Sequence, residues 1–165
     1  MKYCLLPVLL LCTFVQSEVR PTATETPSSA AQVPSTTQTL AYHESPPNGP
    51  LPPTLDPSQF KDNSVARVAY TIAALIEPVL YQVPCHCPCN KEQGHQSLLD
   101  CFTSRHGISC RTCEQEAIFC FTQHSKGKKP ADIRKGIADG KAWKVDLARY
   151  AKRFESQAWS QTDAK

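Results

Sequence analysis

Residues 85–120 read CHCPCNKEQGHQSLLDCFTSRHGISCRTCEQEAIFC, and the rest of the chain is organised around this stretch. It holds seven of the nine cysteines and three of the five histidines of the protein. Three cysteines alternate at its start as CxCxC, and a CxxC pair follows at Cys110 and Cys113. Because no other part of the chain concentrates soft ligands in this way, the sequence predicts that its chemistry is thiol chemistry at this stretch.

The N-terminus has the pattern of an export signal. A positive residue precedes the apolar run Leu5–Val15, and small residues permit cleavage before Glu18, so residues 1–17 are predicted to be a signal peptide. The run is shorter than the roughly 20 residues of a membrane span. Cys12 follows Leu11, where lipid-attachment signals usually have a small residue, so membrane attachment is expected only if Cys12 is lipidated. The predicted location is periplasmic or extracellular.

Export changes how the cysteines are interpreted. Cys4 and Cys12 leave with the signal peptide, so seven cysteines remain. Thiols outside the cytosol tend to form disulfides, but an odd number cannot all pair within one chain. At least one thiol is therefore expected to be free, bound to a metal or joined to another molecule. The net charge of +3 is too small to suggest a nucleic-acid partner.

Composition divides the remaining chain into two parts. Residues 18–57 are rich in Pro, Ser and Thr and poor in large apolar residues, which predicts a disordered linker. Residues 58–160 are predicted to form a small all-α, cysteine-rich domain. Its first helix carries apolar residues at three- and four-residue spacing from Val65 to Leu80 and should kink or end near Ile76, because Pro78 interrupts it.

A helical hairpin is predicted at the centre of this domain. One helix is expected over residues 96–106 and the next from Cys110 to about Ser125, with Gly107 between them, and such helices pack antiparallel. Cys101 lies six residues before Gly107 and Cys113 six after it. The two cysteines should therefore face each other with Cα atoms about 7 Å apart or less, where they could form a disulfide or share a metal.

The cysteine spacing suits a soft metal ion. A CxCxC loop and a CxxC at a helix start can together present four thiolates, which fits tetrahedral Zn(II) and equally fits Cu(I). Histidines can complete or replace these ligands. The predicted metal ligands are Cys85, Cys87, Cys89, His95, Cys101, His106, Cys110 and Cys113.

Two alternatives stay open beside metal binding. One is an extracytoplasmic thiol oxidoreductase with a redox partner protein, in which Cys110 or a cysteine of the CxCxC loop attacks and a neighbour resolves the mixed disulfide. Its redox candidates are Cys110, Cys113, Cys85, Cys87 and Cys89. The other is a disulfide-stapled domain without activity. The sequence thus leaves open whether the chain is an enzyme, and Glu114 and Glu116 are expected to lie on a solvated helix face.

Several separated blocks resemble one bacterial family. The blocks PCHCPC, GHQSLLDCF and HGISCRTCEQEA, together with LPPTLDPSQF and EPVLYQVPC, are similar to the PCYCGC-motif or CYCXC family of (seleno)proteins. The resemblance covers roughly Leu51 to Tyr150. His86 departs from the family's tyrosine, and Cys120 lies outside its pattern. The family carries no established activity, but its selenoprotein members imply redox-active thiols, and some members resemble lipoproteins.

Overall fold

The computed structural model describes residues 40–162, with side chains as far as Gln157, and this part of the chain is helical. Short 3-10 turns occupy Pro57–Phe60, Leu99–Phe102, Arg105–Ile108 and Ala142–Lys144. The α-helices are α1 (Ser64–Leu75), α2 (Glu77–Tyr81), α3 (Cys89–Glu92), α4 (Arg111–His124), α5 (Pro130–Ala138) and α6 (Leu147–Thr162). No strand occurs among residues 40–162, which confirms the all-α prediction.

The predicted signal peptide, residues 1–17 with Cys4 and Cys12, lies outside the described residues. Among the helices that are described, none has the length and apolar character needed to cross a membrane.

The first helix begins at a side-chain cap and is interrupted where the sequence predicts. Asn63 Oδ1 accepts a hydrogen bond from the backbone N–H of Ala66 at 3.0 Å, which satisfies one of the unpaired donors of the first turn of α1. Helix α1 stops at Leu75, and α2 resumes after Ile76 with Pro78 in its first turn. The kink predicted near Ile76 is therefore confirmed.

Helix α4 is the centre of the domain. It packs against α1, α2 and α5, and eight consecutive residues from Cys113 to Cys120 are buried. The Gln115 side-chain amide donates to the carbonyl oxygens of Trp143 and Val145, so that the chain after α5 is held against α4. Helix α6 returns across α1. This packing places the start of α4, with Cys113 in its first turn and Cys110 just before it, within the core of the domain.

The prediction that a helix forms the first arm of the hairpin is wrong. Instead of a helix over residues 96–106, the chain makes two separate 3-10 turns, Leu99–Phe102 and Arg105–Ile108. The Phe102 carbonyl oxygen, which a helix would pair with His106 N, instead accepts from Leu55 N at 2.9 Å, and the Ser104 carbonyl oxygen accepts from the Tyr70 hydroxyl at 2.6 Å. Ser104 itself is extended, with φ −135° and ψ 179°, so tertiary contacts override the local helical pattern.

Glycine is required at position 107 because the backbone packs closely there, and not because a helix ends there. A Cβ atom at this position would lie 3.0 Å from the Cys101 carbonyl oxygen and 3.1 Å from the Tyr70 hydroxyl. Glycine therefore allows the second 3-10 turn to approach α1 and the Cys101 backbone. The antiparallel return that the hairpin was meant to provide still occurs, but through turns instead of two helices.

Part of the predicted linker contacts the helical domain. The His43 ring stacks on Tyr81 with centroids 3.8 Å apart, and the Arg134 guanidinium lies 4.5 Å from the centre of the Tyr42 ring. Leu55 lies against the apolar core. The described domain thus begins before residue 58, and residues 40–57 cover one of its sides.

Candidate metal centre

The CHCPC loop is held from both of its ends. Just before it, Val83 O accepts a hydrogen bond from Leu98 N at 2.8 Å, and just after it, Cys89 begins the single turn of α3. Its three cysteines are buried, with exposed fractions of 4%, 7% and 0% for Cys85, Cys87 and Cys89. The loop therefore turns its sulfurs inward, toward α4 and the 3-10 turn that carries Cys101.

The sulfur atoms of this region lie at the spacing of metal ligands. Cys85 Sγ is 3.3 Å from Cys87 Sγ and 3.5 Å from Cys113 Sγ. Cys87 and Cys113 are 3.8 Å apart, and Cys89 and Cys101 are 3.7 Å apart. Four sulfurs placed about 2.3 Å from a zinc ion are separated by about 3.8 Å along each edge of the tetrahedron. All described cysteines are free thiols.

Two overlapping sets of four residues could each hold an ion. In each set, one ligand atom from every member lies within 4.8 Å of the others. The first ligand group is Cys87, His106, Cys110 and Cys113, and the second ligand group is Cys89, His95, Cys101 and His106.

Cys85 joins the two groups. Its sulfur lies within 4.8 Å of both Cys101 and Cys113, and also of both Cys87 and Cys89. The structure thus brings all eight sequence-predicted ligands into one assembly, which we call the thiol cluster. The sulfur atoms of Cys101 and Cys113 lie within 4.8 Å of each other, although no helical hairpin places them.

Both histidines of the cluster touch sulfur. His106 Nε2 is 3.6 Å from Cys87 Sγ, and His95 Nδ1 is 3.4 Å from Cys101 Sγ. A sulfur and a nitrogen that share one tetrahedral zinc ion are separated by about 3.6 Å. The other His106 nitrogen, Nδ1, lies 2.7 Å from the Gln93 side-chain amide, which orients the ring. Sequence reasoning missed Gln93, because an exposed glutamine in a loop carries no signal of its own.

The thiols differ in their ionisation. Hydrogen bonds from Cys101 and Cys113 lower the pKa of Cys85 to about 2. A hydrogen bond from Cys101 lowers the pKa of Cys87 to about 5. The pKa of Cys101 is raised, because its proton is shared with Cys113 and Cys85 among other thiols and because it is buried. The metal-free cluster therefore holds thiolates and thiols side by side, and a bound metal would replace the shared protons.

One side of the cluster is open. Cys110 is half-buried, whereas the other cysteines among the described residues are buried, and His95 and His106 are also half-buried. Cys110 is the residue that precedes α4, which begins one position after the predicted start, and its sulfur lies near the positive end of the helix dipole. A hydrogen bond with Cys113 lowers the pKa of the Cys110 thiol. Cys110 is thus the thiol that solvent and partners reach first.

Glu116 was expected on a solvated helix face, and this expectation is wrong. Glu116 is fully buried, and its carboxyl group accepts a hydrogen bond from the His86 backbone N–H at 3.1 Å and lies within hydrogen-bond distance, 2.7 Å, of His86 Nδ1. Burial raises its pKa well above the ordinary value, and the negative charge of Cys85 adds to the effect. Glu116 lies three residues after Cys113 on α4, so helical spacing placed it on the cluster face and could have identified it.

Glu114 is also buried, contrary to expectation. It is 6% exposed, and burial raises its pKa to about 7, with a further contribution from Cys110. Cys120 is fully buried but belongs to neither ligand group. Burial raises the pKa of Cys120 as well. Its place is in the apolar core beside the cluster.

Comparison with known proteins gives a family and no activity. A family described as "Protein of unknown function with PCYCGC motif" matches residues 48–144, which is more than half of the 165-residue chain. No curated protein and no solved structure matches the chain. The matched range includes the whole thiol cluster, Glu116 and the turn that carries Trp143. The chain therefore belongs to the PCYCGC-motif family of proteins of unknown function.

Proposed function

We propose that this protein is an exported metal-binding protein that holds a soft ion, Cu(I) or Zn(II), in its thiol cluster. The observation that carries the proposal is the set of six cysteines and two histidines that form overlapping groups, in each of which the ligand atoms lie within 4.8 Å of one another. Soft thiolates with imidazole and no carboxylate in the ligand groups favour copper or zinc over magnesium or calcium.

The surroundings of the cluster support this function. Its thiols are converging, mostly buried and not bonded to one another, whereas a disulfide requires sulfur atoms about 2.0 Å apart. Glu116 fixes the backbone of the CHCPC loop through His86, and Gln93 orients His106. Residues around the ligands that hold them in position are a regular feature of protein metal sites.

Metal content of the exported protein tests this proposal. The full chain would be purified without oxygen and without chelator, and its copper and zinc would be measured by elemental analysis alongside a free-thiol count. A Cys87→Ser/Cys113→Ser variant should bind less metal than the wild-type protein, because it lacks two sulfurs of the first ligand group, whereas Cys120→Ala, outside both ligand groups, should retain the wild-type content. A reduced, folded wild-type protein that neither retains nor takes up either metal would refute the proposal.

A second function is favoured by one observation at Cys110. This thiol is half-buried, has a lowered pKa, and has the Cys113 sulfur within 4.8 Å. The Cys110 thiolate would attack a disulfide in a partner protein and release one partner thiolate. Cys113 would then attack the mixed disulfide, so that a Cys110–Cys113 disulfide forms and the partner gains the two electrons as a dithiol.

Alkylation distinguishes this second function. In metal-free protein, a Cys110 thiol that reacts with a pH midpoint below about 8.5 would support it. The midpoint would be compared in Cys113→Ser, where the hydrogen bond that lowers the pKa of Cys110 is weakened. An unperturbed midpoint in the wild-type protein would remove the basis of the redox function and leave metal binding untouched.

A further inference from the structure

We propose that the thiol cluster is built for two metal ions and not for one, an inference that rests on the proposed metal-binding function. The cluster contains six sulfurs and two imidazoles, which is twice the four donors that one tetrahedral zinc ion takes. The argument depends on how these eight donors are distributed in space.

His106 belongs to both ligand groups, so the eight donors form two separate sets of four only after His106 is assigned to one of them. A neutral imidazole binds one metal through one nitrogen, while the other nitrogen keeps its proton or a hydrogen bond. His106 directs Nε2 to Cys87 of the first ligand group, and its Nδ1 is engaged by Gln93. His106 thus serves the first ion, together with Cys87, Cys110 and Cys113.

The second ion then requires a fourth ligand in place of His106. The second ligand group keeps Cys89, His95 and Cys101. Cys85 supplies the missing donor, since its sulfur lies within 4.8 Å of both Cys89 and Cys101. Cys85 is also 3.5 Å from Cys113 of the first group, so the two sites are adjacent and Cys85 borders both of them.

A single ion would leave a preformed site unused. If it took the first set, Cys89, His95 and Cys101 would still lie within 4.8 Å of one another, with Cys85 within 4.8 Å of Cys89 and Cys101. The first set depends on the start of α4, and the second depends on α3 and the Leu99–Phe102 turn. Two ions therefore use every donor that the fold has brought together.

Zinc stoichiometry tests the inference. Reduced full-length protein would be loaded with excess Zn(II), and gel filtration would remove loosely held ions. Native mass spectrometry would then measure the mass of the complex and so the number of zinc ions per chain. We expect two zinc ions per chain. One ion, or three or more, would overturn the two-ion assignment while leaving metal binding intact, whereas no bound zinc would overturn the proposed zinc site itself.

Variants of each half make the test specific. Cys89→Ala/Cys101→Ala removes two donors of the second site, and His106→Ala/Cys110→Ala removes two half-buried donors of the first. Each double variant should bind one zinc ion, and Cys120→Ala should still bind two. Far-UV circular dichroism would establish that each variant is folded. A folded double variant that still holds two ions would refute the division of ligands.

Discussion

Replacing Glu116 should loosen the CHCPC loop and with it the metal centre. In Glu116→Ala, the His86 backbone N–H loses its acceptor and His86 Nδ1 loses its hydrogen-bond partner, which lie at 3.1 and 2.7 Å in the wild-type protein. A donor left without a partner costs about 1–3 kcal/mol. His86 is half-exposed, so water can reach its ring more easily than its backbone. We therefore expect the free energy of unfolding to fall by roughly 2–4 kcal/mol.

Urea denaturation of reduced, metal-free protein measures this loss. With a slope of about 2 kcal/mol per molar urea, the midpoint should fall by roughly 1–2 M. Glu116→Gln is the matched control, because it keeps the volume and one carbonyl acceptor, and its midpoint should stay close to that of the wild-type protein. Zinc affinity of Glu116→Ala should fall about tenfold or more, as for other residues that support metal ligands.

The same pair of proteins gives a pH dependence of known sign. Burial raises the pKa of Glu116 in the folded protein above its ordinary value of 4.5. A group with a raised folded-state pKa contributes stability below its unfolded pKa and loses it as pH rises. Stability of the wild-type protein relative to Glu116→Gln should therefore fall as pH rises above 4.5. Equal urea midpoints for Glu116→Ala and the wild-type protein, or a pH trend of opposite sign, would refute this account of Glu116.

Three further predictions concern packing and access. Gly107→Ala should lower the free energy of unfolding by about 1–3 kcal/mol, because the new Cβ would press on the Cys101 carbonyl. The control Gly49→Ala, where a Cβ would have open space, should change the free energy of unfolding by less than about 0.5 kcal/mol. Equal effects of the two substitutions in urea denaturation would contradict the close packing at Gly107. Tyr70→Phe removes the hydroxyl bond to Ser104 O and should cost about 1 kcal/mol, again by urea denaturation, and no loss would mean that this bond does not hold the turn. In metal-free reduced protein, iodoacetamide should modify Cys110 first, as read by peptide mass spectrometry, and earlier labelling of a buried cysteine would contradict the open side of the cluster.

Much of the architecture was predictable from local patterns. The cap at Asn63, the break near Pro78 and the helix that starts at Pro130 all follow from residues whose preferences act within a few positions. The convergence of Cys101 and Cys113 also followed from their equal distance from Gly107, because any tight return brings such positions together. These features needed no knowledge of long-range contacts.

The predictions that proved wrong share one cause, which is contact between residues that are far apart in the sequence. Two turns replace the helix expected over residues 96–106, because residues more than 30 positions away bond to this segment: Leu55 N takes the Phe102 carbonyl that a helix would use, and the Tyr70 hydroxyl bonds to the extended Ser104. Residues 40–57 were assigned to a linker on composition, yet Tyr42 and His43 find aromatic and cationic partners on the domain. The buried Glu116 is compensated by His86, the residue that stands in place of the family's tyrosine. None of these partners can be identified from the few residues that neighbour each position in the sequence.

X-ray absorption spectroscopy of the zinc-loaded protein tests the central claim most directly. The account predicts a first shell of sulfur at about 2.3 Å with nitrogen at about 2.0–2.1 Å, in four-coordinate geometry dominated by sulfur. The Cys120→Ala variant should give the same spectrum. A first shell made only of oxygen and nitrogen, with no sulfur near 2.3 Å, would contradict a metal centre built from the thiol cluster.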